Sequence, residues 1–156
     1  MIKEVIFTSF DILNFVLIAF LWWLTIKNYK TLPKKIPVHF DVEGKADNFG
    51  NKAFTFFTPV LALMFYVLFI FISKHPETAN FPVEITETNK DAQFFIMDFF
   101  LRWLLMLIVL IFLNGQDYTF RYSSDEKAKP KVPMATAFFS VIGSLIAVFI
   151  FTSIFK

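Results

Sequence analysis

The chain has 156 residues, of which 56% are hydrophobic and only 18% charged, a balance too apolar for an ordinary soluble fold. Its 24 phenylalanines exceed what a soluble core of this size needs, and a net charge of +2 gives no basis for nucleic-acid binding. Cysteine is absent, which excludes disulfides and thiolate chemistry.

The first apolar run, Val5 to Ile26, is interrupted among strongly polar positions only by Asp11 and Asn14. As a helix it reaches about 33 Å, enough to cross a hydrocarbon core of about 30 Å. Trp22, Trp23 and Tyr29 at its end fit an aromatic belt at the interface. No small-residue cleavage site follows, which predicts a retained anchor rather than a removed signal peptide.

Leu32 to Lys52 follows, reading LPKKIPVHFDVEGKADNFGNK. Pro33 and Pro37 stiffen its start, and Gly44 and Gly50 are expected to make turns. His39 and Asp47 are expected to point to a shared region, and Lys52 to mark the start of the second helix. The stretch is thus an ordered polar loop at the membrane surface. Its folded-cap role and a binding role for Pro37, His39, Gly44, Asp47, Gly50 and Lys52 are compatible, because binding surfaces are commonly loops on a rigid scaffold.

Ala53 to Ser73 is the second spanning segment. Thr58-Pro59 suits an N-cap followed by proline in the first turn, or a kink in a helix that starts earlier. Lys74 to Gln93, with two prolines and four acids, reads as an exposed, mostly irregular loop. Phe94 to Asn114 is the third span, and Gly115 to Pro133 a solvated charged loop. Met134 to Phe155 is the fourth span, uncharged throughout, with Thr136, Ser140, Gly143, Ser144 and Ala147 as small residues along one face. That stripe serves packing within the chain or a homo-oligomer contact. The expected fold class is an all-α integral membrane protein: one domain, 1–156, of four transmembrane helices with an ordered loop between helices one and two.

Charges inside spanning helices face inward and pair, because each costs about 2.5–3.5 kcal/mol near the bilayer centre. Asp11 on the first helix and Asp98 and Arg102 on the third start from the same side and lie at similar depths. An intramembrane cluster of Arg102 with Asp11, Asp98 or both, with Asn14 nearby, is therefore expected.

No nucleophile with its base and no glycine-rich phosphate cradle is present, so nothing points to catalysis. His39, Asp41, Glu43 and Asp47 offer a nitrogen and several oxygens, yet the spacing does not match a calcium loop. One histidine without a close second is a poor zinc signature, and acids interleaved with lysines read as a solvated, self-paired surface. No metal and no cofactor is expected.

The spacing Leu32-Pro33-x-x-Ile36-Pro37-x-His39-Phe40-x-x-x-Gly44-x-x-Asp47-x-x-Gly50-x-Lys52 between two membrane helices resembles the bacterial membrane family known as domain of unknown function 1648. That module is similar to the N-terminal part of SdpI-type immunity proteins, which protect a producer cell from a secreted peptide toxin. The resemblance implies a multi-pass protein of the cell membrane whose first loop recognises a peptide toxin or a membrane-protein partner, in an immunity or envelope-stress role. The alternative is an ion- or small-molecule-handling protein, transporter subunit or enzyme, with His39, Asp47 and Arg102 lining one polar cavity.

Basic residues mark the cytoplasmic side. Ten lie in the first and third loops, against five on the other side with Arg102 included, which places both termini outside. Family members that begin with a basic N-terminus imply a cytoplasmic start, whereas this chain begins Met1-Ile2-Lys3-Glu4. The side faced by the loop stays open.

Overall fold

The computed structural model describes residues 1–41 and 43–156. Helix α1 (Ile2–Tyr29) leads through strands β1 (Lys35–Phe40) and β2 (Ala46–Asn51) into a 3-10 turn (Lys52–Phe56) and helix α2 (Phe57–Lys74). Helices α3 (Lys90–Ser124) and α4 (Met134–Ile154) follow. Among the described residues, four helical segments are long and apolar enough to cross a membrane, the 3-10 turn being counted with α2. The chain is a multi-pass membrane protein whose apolar helices call for a lipid bilayer. Large side chains such as Phe15, Phe57, Phe139 and Phe149 are more than half exposed, as lipid-facing positions should be.

α1 and α3 run parallel and in constant register. The side-chain bonds Asp11–Arg102 and Thr25–Gln116 both join residues 91 apart. α2 closes the third side, and the three helices bury Leu21, Ala62 and Val109 completely, with Ile18 and Leu105 beside them. Near the hairpin end, Gln116 ties the three together. Its Nε2 donates to Thr25 Oγ1 at 2.9 Å and to the Thr55 carbonyl at 2.8 Å, while Oε1 accepts from Thr58 Oγ1 at 3.1 Å. Thr58 is therefore not a helix cap. The turn into α2 begins earlier, where the Asn51 side chain accepts from the Ala53 amide at 2.9 Å.

α3 is longer than its apolar run. It spans 35 residues, about 52 Å, so its last turns stand beyond a core of about 30 Å. The helix does not stop at Asn114 because Tyr118, Phe120 and Tyr122, all buried, give the polar extension something to pack against. That partner is the β-hairpin. The predicted loop is in fact a two-stranded antiparallel sheet, pairing Lys35 with Asn51, Ile36 with Gly50 and Pro37 with Phe49.

α4 lies chiefly on α3, held at three levels. At its start, Asn114 Nδ2 donates to the Val132 carbonyl at 2.9 Å and Asn114 Oδ1 accepts from the Val132 amide at 3.1 Å. Midway, Trp103 Nε1 donates to Ser144 Oγ at 2.9 Å. At its end, the fully buried Gln93 donates through Nε2 to the carbonyls of Thr152 and Phe155, which the helix itself leaves open. Of the small-residue stripe, Ser144 is thus engaged, whereas nothing lies within 4 Å of where a Gly143 Cβ would sit.

Candidate functional site

Two polar centres stand out, one inside the bilayer and one at its surface. In the first, Arg102 Nε and Nη2 grip both oxygens of Asp11, at 2.9 and 3.3 Å, and Nη1 donates to the Asp98 carbonyl at 3.0 Å. The Asp98 carboxylate stands off at 3.8 Å. Asn14 Nδ2 donates to the Arg102 carbonyl at 3.0 Å, and the Phe7 ring covers the guanidinium at 4.4 Å. Forked pairing of this kind is the geometry in which arginine neutralises a carboxylate best. The adjoining cleft, which reaches Tyr66 and Ser73, has a volume of about 20 Å³, room for about one water molecule.

The second centre is the hairpin. Asp41 starts its turn: one carboxylate oxygen accepts from the amides of Glu43 at 3.0 Å and Lys45 at 2.8 Å. Gly44 takes φ of 81°, a conformation that other residues adopt at a cost. Its carbonyl accepts from the Tyr118 hydroxyl on α3. Phe40 packs against the same tyrosine with ring centroids 4.5 Å apart and planes tilted by 36°. Ile36 and Pro37 are buried, Ile36 against Leu32 and Phe120.

Gly50 does not make a turn. It lies in β2 opposite Ile36, and a Cβ there would meet Val38 Cγ1 at 2.9 Å, so glycine serves close approach rather than bending. Lys52 reaches back to α1, its Nζ donating to the carbonyls of Tyr29 at 3.1 Å and Leu32 at 3.4 Å while lying 4.6 Å from the Tyr29 ring centre. His39 and Asp47 meet across the strands. His39 Nδ1 and Asp47 Oδ1 are 2.6 Å apart, with the side chains 65% and 47% exposed. A carboxylate accepts, so Nδ1 carries the hydrogen, and Nε2 has no hydrogen-bond partner among the described residues.

With this arrangement in view, residues 16–63 match the family described as Domain of unknown function (DUF1648). An uncharacterized protein of Archaeoglobus fulgidus is 28% identical over 78 residues, covering 45% of this chain. The match spans 43% of that relative, so this chain accounts for less than half of its length. No solved structure matches.

The matched stretch contains the second half of α1, the whole hairpin and the first turns of α2. Asp11, Asn14, Asp98 and Arg102 all fall outside it. The two centres are also apart in space. Asp11 and Tyr29 are 18 residues apart on one helix, about 27 Å, and the hairpin begins past Tyr29. His39 and Asp47 thus lie past the C-terminal end of α1, about 27 Å along its axis from the level of Asp11 and Arg102, and do not line one cavity with Arg102. Of the four potential metal ligands, His39 and Asp47 come together while Asp41 is committed to turn amides.

Sequence reasoning missed Tyr118 and Gln116, which sit in a stretch read as loop. Their signal was a helical spacing of aromatics, Tyr118 and Tyr122, continuing past the apolar run. Gln93 and Asn114 were passed over because amides at the edges of a span look like boundary markers.

Proposed function

We propose that the hairpin is a recognition surface for a peptide or protein partner at the membrane face, and that the chain acts in an SdpI-like immunity or envelope-stress role in the cell membrane. One observation carries this reading. The other motif residues are spent on the scaffold: Ile36 and Pro37 in the packing, Gly44 and Lys52 in bonds to α3 and α1, Gly50 in close strand contact. Among the six motif positions only His39 and Asp47 are exposed, and their side chains bond only to each other among the described residues.

An exposed pair contributes little to stability, typically below about 1 kcal/mol, so folding gives weak reason for keeping it. A pre-oriented imidazole on a rigid mount is well suited to one directional contact with a partner. The DUF1648 match over the same residues supports the hairpin as the part with a shared role.

The test is a bacterial host expressing the chain, challenged with secreted peptide toxins. Protection by the wild type, lost in both His39→Ala and Asp47→Ala at equal membrane levels, is the expected result. Full protection by both variants would return the hairpin to a purely structural cap.

A further inference from the structure

Beyond the tryptophans at the end of α1 lies a groove whose polar residues belong to neither polar centre. Leu24, Asn28, Asp117, Phe120, Arg121 and Asp125 line it, around a cavity of about 520 Å³. That volume falls in the range of small-molecule sites, about 300–1,000 Å³. Leu24 follows the aromatic belt directly, so the groove sits at headgroup level. Its wall has two characters, with Leu24 and Phe120 apolar and the other four polar.

The charges are unevenly matched. Asp117 accepts from both Arg121 Nε at 2.9 Å and Lys131 Nζ at 3.2 Å, so two cations share one carboxylate. The Arg121 side chain is 35% exposed and, among the described residues, bonds Asp117 through Nε alone, so the guanidinium keeps further N–H groups for an acceptor. Asp125 lies one turn further, its amide bonded to the Arg121 carbonyl at 2.9 Å. It accepts the Lys127 amide at 3.0 Å but forms no ion pair among the described residues. Positions one turn apart are separated by about 5–6 Å. The groove thus offers a place for an anion and, one turn away, a place for a cation, with apolar cover beside both.

We propose that this groove binds a phosphoester bearing a primary amine, the headgroup chemistry of phosphatidylethanolamine. The phosphate oxygens accept from Arg121, the ammonium donates to Asp125, and Leu24 and Phe120 cover the carbon atoms next to the phosphate. The same chemistry exists in free phosphoethanolamine, and the position at the membrane boundary favours the lipid. The inference stands independently of the hairpin's role.

The test uses the full chain purified in detergent and native mass spectrometry with four probes: phosphatidylethanolamine, phosphatidylcholine, phosphatidylglycerol and free phosphoethanolamine. Phosphatidylethanolamine should be retained in preference to the other three. Arg121→Gln should weaken that retention roughly tenfold, as expected for loss of a charge-assisted bond. Asp125→Asn should reduce phosphatidylethanolamine to the level of phosphatidylcholine, whose quaternary amine has no N–H to donate. An amide oxygen at 125 can still accept the Lys127 amide, so this variant reads the amine contact even if Arg121→Gln fails to fold. Equal retention of the three lipids, or retention unchanged in Asp125→Asn, would overturn the proposal. Free phosphoethanolamine binding as tightly as the lipid would overturn the lipid source and assign the groove to a soluble ligand.

Discussion

Lys52 closes the C-terminus of α1, its ammonium 3.1 Å from the Tyr29 carbonyl. A cation at this end complements both the open carbonyls and the helix dipole. The residue that starts the path into α2 is thereby bonded to the end of α1, and the hairpin between them is clamped at its base. Replacing Lys52 with methionine keeps the aliphatic stem and removes the donors. The expected cost is about 1–2 kcal/mol, read as a lower thermal midpoint in detergent. Arginine at 52 should recover part of it, and an unchanged midpoint in the methionine variant would remove the clamp from the account.

Gly50 and Val38 provide a paired test. Alanine at 50 places a methyl 2.9 Å from Val38 Cγ1, an overpacking that costs about 1–3 kcal/mol. Val38→Ala in the same chain should restore much of the loss. If the double variant is no better than Gly50→Ala alone, the crowding lies elsewhere.

The Arg102 cluster should behave as a unit. Arg102→Ala leaves Asp11 without its forked partner and Asp98 without a nearby cation, and loss of one buried partner costs about 3–5 kcal/mol. Adding Asp11→Ala should then cost little more, giving a coupling of about 0.5–3 kcal/mol in a double-mutant cycle. Additive losses would show that the two side chains do not depend on each other.

Gln116→Leu should be destabilising even though the position faces the interior. The variant strips a donor from the Thr55 carbonyl and a partner from the Thr25 and Thr58 hydroxyls. Leaving such groups unsatisfied costs about 1–3 kcal/mol, measurable by thermal unfolding. Gln116→Glu, which can only accept when ionised, should be at least as harmful.

By contrast, His39→Ala and Asp47→Ala should each change stability by less than about 1 kcal/mol, since the pair is exposed. A larger loss would make the pair part of the scaffold and weaken its reading as a recognition element.

The four spans were legible because a bilayer accepts only long apolar helices, and the chain has four such runs. The charges at 11, 98 and 102 were legible for the same reason, as lipid forces them together. The hairpin was harder. Ile36 and Pro37 are both buried although strand neighbours usually alternate, and the register shifts between Pro37 and Phe40 break the period that marks a strand. Gly50 was misread because glycine marks close approach as often as a bend. The end of α3 was hidden by its polarity: Gly115 to Asp117 reads as the exit from a membrane helix, and the hairpin that keeps the backbone helical comes from a distant part of the sequence.

The three ties between α3 and α4 are spaced along almost the whole of α4, with Asn114 at one end, Trp103 midway and Gln93 at the other. Sliding one helix past the other would break all three at once. The pair therefore has a fixed hydrophobic length, and a bilayer of different thickness must be met by leaning both helices together or by deforming the lipid around them.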